Sequence, residues 1–211
     1  MYDYIMFDLD GTLTDPKEGI TKSVQYALSK MGITETDLDK LTCFIGPPLV
    51  VGFSEYYGMN EKNSLEAVAH YRKRYSDVGL FENAIIPGIP ELLQKLKNDG
   101  KHLFVATSKP HVFANKILER YGILKFFEKV SGAELDGTRN DKKDVIAEVL
   151  ADIPKDAKIV MVGDRRHDCI GAKYWNIPCI GVRFGYAEEG ELEEAGAIKI
   201  VAMPEELYEV L

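Results

Sequence analysis

Residues 5–15 read IMFDLDGTLTD, an apolar run that takes on two carboxylates, Asp8 and Asp10, two positions apart and then breaks at Gly11. The run predicts a strand covered on both faces, as in a parallel sheet. Burying an unpaired carboxylate costs on the order of several kcal/mol, so two acids at the end of such a strand need a purpose. Side chains at i and i+2 face the same way, which sends Asp8 and Asp10 toward one crevice. In parallel sheets that crevice, beyond the carboxyl ends of the strands, is where ligands bind.

Further apolar runs follow the same plan: HLFVAT from His102, KIVMVGD from Lys158 and IPCIGV from Ile177. Between them lie helical patterns: PELLQKLKNDG and PHVFANKILERYG are punctuated by proline at the start and glycine at the end, and KKDVIAEVL carries apolar residues at helical spacing. The alternation predicts an α/β fold with a parallel, Rossmann-like sheet. From Pro16 to Asn83 it lapses, and EGITKSVQYALSKMG and SLEAVAHYRKRYSDVG read as helices of an insertion. The expected division is therefore residues 1–15 and 84–211 for the α/β core and 16–83 for a mostly helical insert.

The 211 residues suit one large domain or one domain with an insertion, and 45% hydrophobic with 28% charged residues is ordinary globular composition. Against 34 acids stand 26 bases, a net charge of −8 that argues against nucleic acid as partner. An anionic ligand would need local positive charge, from a metal ion or a few placed lysines and arginines. Cys43, Cys169 and Cys179 show no CxxC spacing, so neither a disulfide framework nor a zinc site is expected and a reducing compartment fits. No apolar run approaches the roughly 18 residues of a membrane span, and the expectation is a cytoplasmic protein. The four histidines share no spacing, and the single Trp175 and the Tyr56–Tyr57 pair read as packing.

A second acidic cluster has the address of the first: IVMVGDRRHD is a strand, a glycine, and then Asp164 and Asp168 at a helix start. Paired acids at two strand ends suit a hard, oxygen-seeking cation such as magnesium. A third strand ends in VATSKPH, placing Thr107, Ser108 and Lys109 before a helix, where hydroxyls and free amides can receive phosphate. Each has a plainer reading alone. DLDGT could be a turn, GDRRHD a helix start with Asp164 as cap and Asp168 solvated, and ATSK a simple strand-to-helix turn. Their joint order and common position at strand ends favour a site.

These segments together resemble the haloacid dehalogenase superfamily of phosphohydrolases: DLDGTLTD resembles its first motif, VATSK its second and VMVGDRRHD its fourth. The helical insertion resembles the family's cap domain, and FIGPPL and HYRKRY resemble cap features of the phosphoglycolate phosphatase-like group. For the third motif, that group usually has a lysine followed by proline. Here TRNDKKDVI offers Lys142, with Lys143 as the fallback.

The resemblance implies a magnesium-dependent phosphatase acting on a small phosphomonoester, such as phosphoglycolate, a nucleoside monophosphate or a sugar phosphate. Asp8 would be the nucleophile and form an aspartyl-phosphate. Asp10 would be general acid, then base, and Thr107 and Lys142 would hold the transferring oxygens. Magnesium would be held by Asp8, the backbone carbonyl of Asp10 and Asp164, with Asp168 holding a water. Gly11, Thr12, Ser108 and Lys109 would line the substrate site, joined from the cap by Gly46, Pro47 and Arg72, with Arg74 competing for the role of Arg72. A β-phosphoglucomutase-type mutase and a non-catalytic binding protein are the alternatives. Neither membrane nor nucleic acid is an expected partner, and the expected state is a monomer or homodimer.

Overall fold

A computed structural model describes residues 1–136, 138–139 and 141–211. The chain divides into two compact units, Met1–Asp15 with Ile85–Leu211, and Pro16–Ala84.

The strands, in chain order, are β1 (Tyr4–Phe7), β2 (Thr14–Asp15), β3 (Ala84–Ile85), which falls at the boundary between the units, β4 (His102–Pro110), β5 (Lys129–Ala133), β6 (Ile159–Gly163), β7 (Cys179–Val182) and β8 (Lys199–Val201). Six form one sheet in the order β5-β4-β1-β6-β7-β8, and β2 pairs with β3. Every pairing in the six-stranded sheet is parallel. The expected α/β class is the observed one. Its long apolar runs became β1, β4, β6 and β7, whereas β5 and β8 were not foreseen: KVSGA interrupts its apolar character with Ser131 and Gly132, and KIV is three residues long.

From β1 the chain builds outward through β4 and β5, then returns to the other side of β1 to lay down β6, β7 and β8. The order reverses at β1, which puts the switch point, where ligands enter such sheets, at the ends of β1, β4 and β6. Helices α4 (Ile89–Asn98), α5 (His111–Arg120), α6 (Lys142–Leu150), α7 (Arg166–Tyr174), α8 (Glu191–Glu194) and α9 (Pro204–Val210) connect or follow these strands. On α6, Lys142, Val145, Ile146 and Val149 share one buried stripe at helical spacing. Its apolar members pack with Met6, Phe104, Met161 and Cys169. The packing that seats α6 therefore carries Lys142 inward.

The second unit is helical: α1 (Lys17–Lys30), α2 (Leu49–Tyr57) and α3 (Glu61–Asp77), with 3-10 segments at Asp39–Phe44 and Gly79–Phe81. Asn60 caps α3 by accepting from the Asn63 amide at 2.9 Å. Leu28, Phe44, Phe53 and Tyr75 are fully or almost fully buried there. Trp175, read as a packing residue, meets the Tyr174 ring edge-on at 5.2 Å. It is 41% exposed, and its indole N–H donates to the Lys143 carbonyl at 2.9 Å.

Candidate active site

Where β1 ends, Asp8 is 4% exposed and Asp10 8% exposed. Lys142 Nζ reaches across from α6 to donate to Asp8 Oδ1 at 2.8 Å and to the Ala106 carbonyl of β4 at 3.0 Å. The same ammonium is 2.8 Å from Asp168 Oδ1. Burial works against its charge, but Asp168 and Asp8 outweigh burial and hold the pKa above the usual lysine value. Lys143 is turned outward and pairs with Asp141 at 3.3 Å. The sequence left two lysines open, and only the first reaches Asp8.

Asp164 follows β6 and is fully buried. Thr12 Oγ1 donates to its Oδ1 at 3.4 Å, and the Tyr186 amide donates to Oδ2 at 2.8 Å. The packing around it is tight enough to require glycine. A methyl on Gly11, whose φ is +83°, would lie 2.1 Å from Asp164 Oδ2, and one on Gly185 would lie 2.3 Å from Asp164 Cβ. Burial, then the nearby charges of Asp8 and Asp168, pushes the Asp164 carboxyl well above its ordinary pKa.

Asp168 is no solvated helix residue. It is buried in the first turn of α7, where Oδ2 accepts from the Arg165 amide at 3.0 Å and closes a capping box with Arg165, not Asp164, at the cap position. Burial raises its pKa and Lys142 opposes the rise.

The carboxylates of Asp8, Asp164 and Asp168 offer oxygens within 4.8 Å of one another. Lys142 pairs with two of them, and the Arg165 charge acts on Asp164. Three buried acids crowd around one ammonium, and all-oxygen donors that come this close suit a hard divalent cation. The residues fit the expected metal, with Asp10 outside the carboxylate set.

Asp10 instead faces Lys109, whose Nζ is 2.5 Å from Oδ2, while Asp10 Oδ1 is buried with no hydrogen-bond partner among the described residues. Burial raises the Asp10 pKa and Lys109 pulls against it. Thr107 lies within β4, 1% exposed, its hydroxyl accepting from the Lys109 amide at 3.2 Å. Pairing between β4 and β5 shifts register between Thr107 and Pro110, and half-buried Ser108 lies in that irregular stretch.

Gly11 and Thr12 are used within the protein: the Gly11 amide donates to Thr14 O at 2.7 Å, and the Thr12 hydroxyl holds Asp164. Both are therefore part of the support for Asp164. In the helical unit, Gly46 and Pro47 fall in the connection before α2, and Arg72 lies half-buried on α3. Arg74 is tied to Glu82 by two hydrogen bonds, at 2.8 and 3.0 Å, and to Ser23 at 3.1 Å.

The segment after β7 was not singled out from sequence. Besides Gly185 and Tyr186, it holds Glu188, whose amide donates to Glu191 Oε2 at 3.1 Å. Glu191 Oε1 accepts from Arg165 Nε at 2.9 Å and the Arg166 amide at 2.8 Å, fixing this segment to the start of α7. A glycine three residues past a strand end, as in RFGY, was the available signal.

The profile of the haloacid dehalogenase-like hydrolases matches residues 5–182. The chain is 50% identical over 192 residues to a Pseudomonas aeruginosa protein named 5'-nucleotidase, covering 90% of this chain and 87% of that one. Over 210 residues it is 38% identical to a Mycobacterium tuberculosis protein named tyrosine-protein kinase PtkA, covering 98% of this chain and 72% of the relative. A solved structure described as a predicted phosphatase from Clostridium acetobutylicum superposes with a TM-score of 0.96 at 45% identity, over 100% of this chain and 98% of that one. With a match that runs from β1 to the end of β7 and takes in Asp8, Lys142 and Asp164, the chain belongs to the haloacid dehalogenase-like hydrolases.

Proposed function

We infer that the chain hydrolyses a small phosphomonoester with magnesium as cofactor, by way of a phosphoryl group carried transiently on Asp8. Its enzyme class is phosphoric monoester hydrolase, in keeping with its family and relatives. The observation that carries the mechanism is the setting of Asp8: a buried carboxylate at the switch point, held by Lys142 and within 4.8 Å of two further acids.

An Asp8 oxygen attacks phosphorus as the bond from phosphorus to the leaving oxygen breaks, splitting one hard displacement into two easier ones. Asp10 gives its proton to the leaving oxygen. Water then attacks the phosphoryl group, Asp10 takes a proton back, and inorganic phosphate and the Asp8 carboxylate are released. Burial favours the protonated form of Asp10, and Oδ1, the oxygen not engaged by Lys109, is the atom to carry the proton. Thr107 already accepts from the Lys109 amide, so its hydroxyl proton remains for a phosphoryl oxygen. Lys142 supplies fixed positive charge to the transferring group, where preorganised electrostatics contribute most. Asp8, Asp164 and the Asp10 carbonyl would hold magnesium, which lets two anions approach each other.

The name of the 50%-identical relative makes nucleoside monophosphates the first esters to try, ahead of phosphoglycolate and sugar phosphates. The reading includes a small phosphorylated metabolite as partner, a monomer or simple dimer, and the cytoplasm. Three free cysteines support a reducing compartment, and no described helix is long and apolar enough to cross a membrane.

The test is phosphate release from a panel of phosphomonoesters with and without magnesium, for the natural protein and Asp8→Asn. Metal-dependent release that the variant lacks is the expected result. An equally active variant removes Asp8 as nucleophile, and isomerisation of a sugar phosphate without release would make the chain a mutase.

A further inference from the structure

Arg139 is not among the groups assigned above, yet it sits three residues before Lys142 with φ +55°. That region is uncommon for a non-glycine residue and costs on the order of 1 kcal/mol or more. Its guanidinium is bound on both sides, donating to Glu134 just beyond β5 and to Glu148 on α6. The fork of an arginine suits two carboxylates in fixed directions in a way that a lysine does not.

Glu148 is itself anchored, and Glu134 lies beside the start of α5. Glu148 also accepts from the Ser131 hydroxyl of β5 at 2.7 Å. Burial pushes the Glu148 carboxyl up, but Ser131 and Arg139 outweigh it and hold it below its ordinary value. Glu134 Oε2 lies 3.2 Å from Nδ1 of His111, the first residue of α5. Between the two runs Gly132, where a methyl would sit 2.5 Å from the Lys109 carbonyl and 2.8 Å from the His111 amide. So β5 presses against Thr107–His111 on one side and is clasped to α6 on the other.

The geometry points to Arg139 as a positioning residue: its clasp of Glu134 and Glu148 sets the distance between the Thr107–Lys109 turn and Lys142, the two sides of the proposed phosphoryl site. This rests on the phosphatase reading of that site. The three side chains are each about one-third exposed, at 32%, 32% and 31%. Ion pairs this exposed add little stability singly, about 0–1 kcal/mol. The clasp therefore acts mainly on where Lys142 sits. A misplacement of about 1 Å in such a site can cost on the order of 100-fold in rate.

The experiment compares the natural protein with Arg139→Ala and Arg139→Lys in three readouts: kcat and KM for a phosphomonoester, calorimetric affinity for inorganic phosphate with magnesium, and thermal midpoint. For Arg139→Ala, kcat should fall by about 10- to 100-fold with KM changed far less, because the loss is one of alignment. Phosphate affinity should weaken several-fold, while the midpoint moves by only a few degrees. Arg139→Lys, which can reach one carboxylate, should recover part of both losses. Arg139→Ala with natural kcat and phosphate affinity would overturn the inference, as would a lowered midpoint as its only effect. Phosphate binding without turnover in the natural protein would sink the hydrolase reading and leave this inference to be decided by the affinity arm. Failure of the natural protein to bind phosphate would sink both.

Discussion

Gly171 on α7 offers a way to move Lys142 without removing it. A methyl at this position would lie 2.7 Å from Lys142 Cγ, 2.9 Å from its Cβ and 3.2 Å from its backbone carbonyl carbon. To regain the 3.4 Å of ordinary contact, the lysine stem must retreat by about 0.7 Å. The head cannot follow freely, since Nζ is held at 2.8 Å by Asp8, 2.8 Å by Asp168 and 3.0 Å by the Ala106 carbonyl. Overpacking of this kind costs about 1–3 kcal/mol. Replacing glycine by alanine inside a helix returns about 1 kcal/mol. The net loss for Gly171→Ala is then about 0–2 kcal/mol, a fall of at most roughly 8 °C in thermal midpoint for a chain of this length.

Activity should respond more strongly, because alignment of the lysine matters to the transition state: kcat should fall by about 10- to 100-fold. Steady-state kinetics and a melting curve on the same preparation measure both. Lys142→Met sets the floor, and Lys173→Ala, an exposed neighbour on α7, controls for helix propensity. Full activity in Gly171→Ala would refute the argument, and so would a loss that only tracks the unfolded fraction. Either result would mean that the stem can yield without disturbing the ammonium.

Two further outcomes follow from charge. Asp164→Asn should make the metal-free protein more stable, since it removes one of three mutually repelling buried acids. It should also abolish the rise in melting temperature expected of the natural protein with magnesium, which a magnesium titration of both melting curves would read. In the helical unit, the hydrogen bonds from Arg74 lead the causes that hold Glu82 below its ordinary value of 4.5. A lowered folded-state value contributes stability above 4.5 and loses it as pH falls through the lower folded value. Arg74→Met should therefore cost about 1–3 kcal/mol near neutral pH, with the gap closing below 4.5, as urea unfolding at several pH values would show.

The class of fold was legible because the inner strands are nearly pure apolar runs, as parallel strands covered on both faces must be. Edge strands carry no such pressure, which is why KVSGA and KIV escaped notice. Asp8, Asp10, Asp164 and Asp168 were legible for the opposite reason: acids are out of place at the ends of buried strands. Lys142 was ambiguous beside Lys143 because spacing alone did not decide which lysine joins the stripe of Val145, Ile146 and Val149. Arg139 and Glu191 were illegible. Their partners, Glu148 at nine residues and Arg165 at 26, meet them only through the fold. Gly11 and Thr12 were read as touching substrate, and their close packing and hydrogen bond to Asp164 were not legible in the sequence.

The same positions explain why the site lies where it does. At the switch point the sheet order runs to β4 and β5 on one side of β1 and to β6, β7 and β8 on the other, and the crevice beyond such strand ends is where ligands bind. Asp8 and Asp164 reach that crevice from neighbouring parallel strands, and Asp168 reaches it from the first turn of α7. Parallel pairing with Phe7 opposite Val162 fixes how near the strand ends must be. Acids brought so close and buried repel one another, and a single lysine relieves part of the repulsion. The sheet gains nothing from this arrangement as a fold. Its cost is offset when positive charge enters, which links the electrostatic imbalance of the resting protein to the proposed binding of a cation and then an anion.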